Sequence, residues 1–274
     1  GSATASLGAL AVVGLPLRVN ALLFNVAAVV HGGRVLGLLP KTYLPNHGEF
    51  YEARQFHGAA DAQADEALCL GRRVPFGPDL LFSASNLPAL VLHAEICEDL
   101  WAPVPPSSFA AMAGATLLMN LSASNITVGK SAYRHALVAA QSARCLAGYL
   151  YASAGMGEST TDLAWDGQAL ACENGVLLTE SARFETDERM RQTSFGECAA
   201  LHRERLARFR RVDFELALPS AERLPLRRSV ERFPYVPADR AQRDARCHEV
   251  YDIQVQGLMQ RLAAAGRTTA VDED

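Results

Sequence analysis

The chain has 274 residues, of which 49% are hydrophobic and 20% charged. That composition supplies enough apolar material for one large domain, or for a domain with an appendage. A net charge of −4 and a pI near 6.0 argue against a surface for nucleic acid or for anionic membranes. No apolar run reaches the length of a membrane span, and the first residues lack the basic segment of a signal peptide.

The cysteines and lysines are each informative. The six cysteines are scattered, with no CxxC pair and no His/Cys cluster at ligand spacing, which predicts a reducing, cytoplasmic location and no metal site. Among 26 basic residues only Lys41 and Lys130 are lysines. Arginine cannot replace an amine that acts as a compact point charge in a small pocket. The two lysines are therefore candidates for specific roles, with codon bias as the alternative.

Apolar runs bounded by turn residues predict strands, and periodic alanine-rich or charged stretches predict helices. Strands are predicted for LAVVGLPL, NVAAVV, RVLGLLPK, RRVPFG, PALVLHAEI, TLLMNLSA, YLYASAG, LAWDGQALACENG, VLLTESARF and RRVDFEL. Helices are predicted for PSSFAAMAGA with a serine cap, for 129–148 with a glycine stop, and for 237–266, with helix and loop over 185–209. Interleaved strands and helices indicate an α/β protein.

Chemistry-bearing residues gather in three segments: KTYLPNHGEFYE, EICEDLW and NLSASNITVGKSAYR. In the second, Cys97 follows a buried strand, an exit where nucleophiles often lie. The carboxylates of Glu95, Glu98 and Asp99 would repel a thiolate there. A working Cys97 therefore requires a cation from elsewhere in the chain.

Taken alone, each of these residues has an ordinary structural explanation. An isolated cysteine on an apolar strand is usually core, and a lysine at a strand end is usually exposed. Ser124 fits a turn serine, and Lys130 fits a solvated residue in the first turn of a helix.

In order along the chain, KTYLPNHGEFYE, ICEDLW and GESTTDLAWDG are similar to motifs of the glutaminase domain of glutamine-dependent NAD synthetases, a branch of the nitrilase (carbon–nitrogen hydrolase) superfamily. The likeness continues to RFPYVPADRAQRDARCHEVYDIQVQGLMQRL. It implies a nitrilase-type α-β-β-α sandwich, incomplete at its N-terminal side, with a helical C-terminal extension. Residues 1–218 would form the glutaminase domain, and 219–274 a linker and the start of a synthetase junction.

The resemblance implies a Glu-Lys-Cys triad with Cys97 as nucleophile and Lys41 as the cation that stabilises thiolate and oxyanion. Glu49 matches a glutamate that supports the lysine. Glu98 and Ser124 match positions that hold the substrate glutamine. Lys130 matches a basic residue near the entrance of the site, and Trp101 is assigned to the same binding group. The general-base glutamate of the triad is expected upstream of the first strand of this chain.

The implied reaction is glutamine hydrolysis through a cysteine thioester, releasing ammonia for amidation of deamido-NAD by a synthetase domain. ATP and Mg²⁺ are implied only for that domain, and no cofactor for this chain. Implied partners are glutamine, the synthetase domain and other copies of the chain. Two alternatives remain: a catalytically inactive assembly module, favoured by the absent general base, and a stand-alone hydrolase of another amide.

Overall fold

The computed structural model describes residues 8–155, 157–158, 163–184, 208–216, 236 and 239–266. The chain divides into two compact units, 1–228 and 229–274, whereas the sequence pattern placed this division after residue 218. The helix and loop predicted over 185–209 lie almost wholly outside the described residues. Within the part that is described, no helix combines the length and hydrophobicity needed to span a bilayer.

The first three strands form an antiparallel sheet in the order β1-β2-β3. They are β1 (Leu10–Val19), β2 (Leu22–His31) and β3 (Arg34–Pro40). The strands predicted at NVAAVV and RVLGLLPK pair as the hairpin β2–β3, and its turn glycines Gly32 and Gly33 both have positive φ, as a two-residue hairpin turn requires. A short hairpin follows, with strands β4 (Glu66–Cys69) and β5 (Arg72–Pro75).

The second sheet has seven strands in the order β11-β10-β9-β8-β7-β6-β12. Its strands are β6 (Leu80–Ala84), β7 (Val91–Ile96), β8 (Leu117–Ser122), β9 (Gly148–Ser153), β10 (Ala169–Glu173), β11 (Val176–Glu180) and β12 (Arg210–Phe214). Strands β7, β8 and β9 run parallel to one another. Their carboxyl ends therefore meet at one edge of the sheet, where loops can build a site.

Two apolar clusters show how the layers pack. One joins the two sheets and includes Ala27, Leu39, Phe82 and Ile96. The other joins the seven-stranded sheet to its helices and includes Val138. The helices are α1 (Pro106–Met112) and α2 (Lys130–Cys145). The predicted α/β class is thus confirmed, and the described residues of this unit form a sheet–sheet–helix stack.

The second unit contains the helix α3 (Arg240–Ala264), which confirms the helix predicted there. The carboxylate of Asp239 caps it by accepting a hydrogen bond from the backbone N–H of Gln242 at 2.9 Å. None of its residues is buried.

Three details of the predicted elements are wrong. Helix α1 begins after Pro105 without a serine cap, because the Ser107 hydroxyl instead accepts a hydrogen bond from the amide of Gln141. Helix α2 ends at Leu146 in a left-handed conformation and not at a glycine. The segment before Ala169 is loop and not strand, because its polar side chains bind a buried arginine.

Candidate active site

Cys97 begins a sharp 3₁₀ turn, Cys97–Trp101, directly after the fully buried strand β7. Its φ of +46° lies in the left-handed region, which is strained for a residue with a side chain and is common at functional sites. The amide of Asn120 on β8 donates to the Cys97 carbonyl at 3.4 Å. The turn therefore projects a cysteine from the carboxyl edge of the central parallel strands.

Lys41 is the first residue after β3, and only 3% of it is exposed. Its ammonium donates to the carboxylate of Glu52. The other Glu52 oxygen accepts from the side-chain amide of Asn25 at 2.7 Å. The expectation that Glu49 supports the lysine is therefore corrected, because the short turn Glu52–Arg54 places Glu52 beside Asn25 and Lys41.

Cys97 and Lys41 line the same cavity, whose volume is about 460 Å³. A buried cation and the cysteine therefore share one cavity, and the action of that charge on the thiolate stays a prediction. The cavity wall also includes Glu49, Glu52 and Asn25, together with apolar and aromatic groups that suit the carbon chain of a small ligand. Those groups are Pro45, Phe50, Tyr51, Phe56, Ile96, Ala123, Leu163 and Trp165.

Glu49 belongs to a separate polar cluster at the same site. Its carboxylate accepts from the Asn125 amide at 2.6 Å, and the oxygen of that amide accepts from the Lys130 ammonium at 2.8 Å. Its own backbone N–H and Asn125 lower the pKa of Glu49. Burial lowers the pKa of Lys130, and the nearby Arg134 charge adds to this effect.

Trp101 and Glu98 flank this cluster. The Lys130 ammonium lies 5.4 Å from the centroid of the Trp101 ring, within the range of a cation–π contact. The carboxylate of Glu98 lies 3.7 Å from the Nε2 atom of His47. Four of the predicted residues, Glu49, Glu98, Trp101 and Lys130, thus lie on connected segments around Cys97.

Ser124 is buried, and the cavity wall contains its neighbour Ala123. The carbonyl of Ser124 accepts from the guanidinium of Arg134 at 2.5 Å, and the carbonyl of Asn125 accepts from the same group at 3.1 Å. The structure therefore gives the backbone of Ser124 a defined role in shaping the loop. A contact of its hydroxyl with substrate stays a prediction.

Arg134 is a functional candidate that the sequence pattern missed. It is fully buried, and its guanidinium also donates to both carboxylate oxygens of Asp166, at 2.8 and 3.0 Å. This single cation thus joins helix α2, the loop after β8 and the loop before β10. Its helix spacing with Val138 and Gln141, both buried, is the signal that could have revealed it.

Two carboxylates beside Cys97 in the sequence point away from the cavity. Glu95 accepts from the hydroxyl of Tyr149 and from the backbone N–H of Ser107, and burial raises its pKa. Burial, followed by the charge of Glu95, raises the pKa of Asp99 to about 7. Their crowding around the thiol is therefore weaker than the sequence suggests.

The described residues include no group of three or more His, Cys, Asp or Glu side chains that could hold a metal ion.

Comparisons with known proteins agree with this geometry. No family model matches the chain. The glutamine-dependent NAD(+) synthetase of Mycobacterium tuberculosis is 51% identical over 268 residues, which are 92% of this chain and 39% of the relative. The chain thus spans about two fifths of the length of such curated relatives.

Among solved structures, a glutamine-dependent NAD(+) synthetase of Cytophaga hutchinsonii matches with a TM-score of 0.55 and 32% identity, covering 63% of this chain and 27% of that one. A carbon–nitrogen hydrolase of Helicobacter pylori matches with a TM-score of 0.50 and 15% identity, covering 66% of this chain and 61% of that one. The second likeness is one of fold alone.

The chain therefore has the fold of a carbon–nitrogen hydrolase. In sequence the chain is similar to a part of the glutamine-dependent NAD(+) synthetases.

Proposed function

We propose that this chain is the glutamine amidohydrolase portion of a glutamine-dependent NAD synthetase, with Cys97 as its nucleophile. The observation that carries the proposal is the presence of Cys97, on a left-handed turn, and the buried Lys41 on the wall of one cavity. The names of the sequence relatives supply the substrate class.

In the proposed reaction, the Cys97 thiolate attacks the carboxamide carbon of glutamine and forms a tetrahedral intermediate. The C–N bond then breaks, and the amide nitrogen leaves as ammonia after it takes up the proton from the thiol. Water hydrolyses the resulting γ-glutamyl thioester, which releases glutamate and regenerates the thiol. A glutamate outside the described site is proposed as the general base for these proton transfers.

The roles of Lys41 and Glu52 follow from charge. The Lys41 ammonium stabilises both the thiolate and the oxyanion of the tetrahedral intermediate, and the backbone N–H of Glu98 is the second oxyanion donor. Glu52 keeps the ammonium in place and offsets its charge when the cavity is empty. Because the lysine is buried, its charge acts on Cys97 with little screening by water.

The amino-acid end of glutamine carries one positive and one negative group. Lys130, above the Trp101 ring, is the proposed contact for the α-carboxylate, while Glu49 and Glu98 are proposed for the α-ammonium. Ser124 completes the assigned binding group.

The released ammonia would serve amidation of deamido-NAD by the synthetase portion of the longer protein. That portion would use ATP and Mg²⁺. Further copies of the chain are proposed to assemble with this one.

Labelling by the glutamine analogue 6-diazo-5-oxonorleucine tests this function. We expect the adduct on Cys97, and added glutamine should slow its formation. The adduct should be lost in Cys97→Ala. It should be kept in the control Cys172→Ala, because Cys172 lies in the apolar cluster between the seven-stranded sheet and its helices. We also expect faster labelling in a longer gene product that supplies the general-base glutamate. Labelling that persists in Cys97→Ala, or that glutamine does not slow, would contradict the proposal.

A further inference from the structure

Asp99 is a buried carboxylate that contacts the segments of both central site residues. Only 1% of it is exposed. One carboxylate oxygen accepts from the backbone N–H groups of Thr42 and Tyr43, at 3.0 and 2.8 Å. The other oxygen accepts from the backbone N–H of Ile96 at 2.9 Å.

These three donors lie next to the two residues on which the proposed chemistry depends. Thr42 and Tyr43 directly follow Lys41, and Ile96 directly precedes Cys97. Lys41 comes from the three-stranded sheet and Cys97 from the seven-stranded sheet, so they belong to different layers. One side chain therefore bonds the exit of β3 to the exit of β7.

The contacts have the character of a positioning device. Above the Asp99 pKa of about 7, these backbone N–H groups donate to a charged carboxylate, and such hydrogen bonds are stronger than those to a neutral acceptor. They also act on the backbone, so they limit motion of the whole loop and not of one rotamer. A displacement of about 1 Å between a nucleophile and its stabilising charge can cost a factor of about a hundred in rate.

We propose that Asp99 is the positioning residue that sets the placement of Lys41 relative to Cys97. It does so without touching substrate, by tying the lysine loop to the nucleophile turn across the two sheets. The catalytic consequence of this role rests on the proposed function, whereas the coupling between the two residues can be measured without glutamine.

The test is a double-mutant cycle read by alkylation of Cys97 with neutral iodoacetamide, followed by peptide mass spectrometry. In the wild-type chain, Lys41→Met should slow alkylation by about tenfold or more, because the thiolate loses its stabilising cation. In an Asp99→Asn background the same change should have an effect of about threefold or less. Asparagine has the size of aspartate but only one acceptor oxygen.

Glu95→Gln is the matched control. Glu95 is as buried as Asp99 and lies on the strand that leads to Cys97, but its hydrogen bonds go to Ser107 and Tyr149. In this background the full effect of Lys41→Met should remain. If Asp99 has only a structural role, Asp99→Asn will lower the thermal midpoint, but Lys41→Met will still slow alkylation by its full amount in that background. That result would overturn the proposal.

Hydrogen exchange on the wild-type chain decides the question if Asp99→Asn does not fold. The amides of Thr42, Tyr43 and Ile96 should exchange slowly, and rapid exchange of Thr42 and Tyr43 would overturn the tie. Glutamine hydrolysis is measured separately, on the full-length gene product. If Asp99→Asn weakens the effect of Lys41→Met on alkylation but no hydrolysis occurs, only the proposed function is rejected. If hydrolysis occurs but Lys41→Met slows alkylation equally with and without Asp99→Asn, only the positioning role is rejected.

Discussion

The ammonium of Lys41 is held by Glu52 and not by Glu49, although both glutamates belong to the same loop segment. Glu52 also accepts from Asn25, which lies on the neighbouring strand β2. The carboxylate of Glu52 therefore holds the Lys41 ammonium, and the amide of Asn25 holds that carboxylate in turn. Glu49 instead reaches across to Asn125 in the loop after β8.

Glutamine substitutions at the two glutamates separate their roles. Glu52→Gln should slow alkylation of Cys97 by neutral iodoacetamide by about tenfold or more, because the Lys41 ammonium loses its charged partner. It should also lower the free energy of unfolding by about 1–3 kcal/mol, since the pair is mostly buried. Glu49→Gln should leave alkylation by neutral iodoacetamide unchanged. Equal effects of both substitutions on that alkylation would contradict the assignment.

Lys130 should act more strongly on binding than on thiol reactivity. In Lys130→Met, protection of Cys97 by glutamine should require a concentration about tenfold higher, the scale expected for one lost charge-assisted hydrogen bond. Alkylation by neutral iodoacetamide should slow by about threefold or less, because the charge of Lys130 also acts on Cys97 but is partly screened by water. A large change in alkylation with unchanged glutamine protection would contradict the role at the entrance.

Arg134 should be a large contributor to stability. Arg134→Met leaves the Asp166 carboxylate fully buried, and the cation that remains beside it among the described residues is the more distant Arg183, at 3.5 Å. The expected loss in the free energy of unfolding is about 3–5 kcal/mol, measured by urea denaturation. The control Arg144→Ala, at an exposed position of the same helix, should change it by less than about 0.5 kcal/mol. A loss for Arg134→Met within that small range would show that the buried network is not stabilising.

His93 should make the stability of the fold depend on pH. Burial lowers the pKa of His93 to about 4, against an ordinary value of 6.5. Between these values the unfolded chain binds a proton that the folded chain does not, so stability falls as the pH drops from about 6.5 to about 4. The contribution is on the order of 3 kcal/mol.

His93→Gln removes that titration and should give a shallower loss of stability over this range, measured by urea denaturation at several pH values. The quantity compared between the two proteins is the slope of the free energy of unfolding against pH. The free energy at a single pH is not compared, because the substitution also alters packing. The carboxylates of Glu95 and Asp99 titrate in both proteins. Equal slopes for the two proteins would contradict a neutral buried histidine.

The sequence predicted the layered α/β class, most of the strands and the placement of Cys97 and Lys41 at one cavity, while their catalytic roles stay a prediction. Strand β6 was not predicted, because LLFSA is a run of five residues without flanking alternation. The spacing along the loop could not distinguish Glu49 from Glu52 as the partner of Lys41. That loop is irregular, and only its fold back to Asn25 decides which carboxylate reaches the ammonium.

The roles of Asp99 and Arg134 depend on contacts between distant segments. Asp99 is bonded to residues more than fifty positions earlier in the chain, and Arg134 to Asp166 in a loop after β9. No local pattern encodes such partners. A buried charged residue on an inward helix face is a warning sign, but only the fold identifies the partner that compensates its charge.

The most direct test of the central claim is acid quenching of the full-length gene product during glutamine turnover, followed by peptide mass spectrometry. A γ-glutamyl adduct should appear on Cys97, and it should be lost in Cys97→Ala and greatly reduced in Lys41→Met. Steady release of ammonia from glutamine in the Cys97→Ala protein, or an adduct on another residue, would contradict the assignment of Cys97 as the nucleophile.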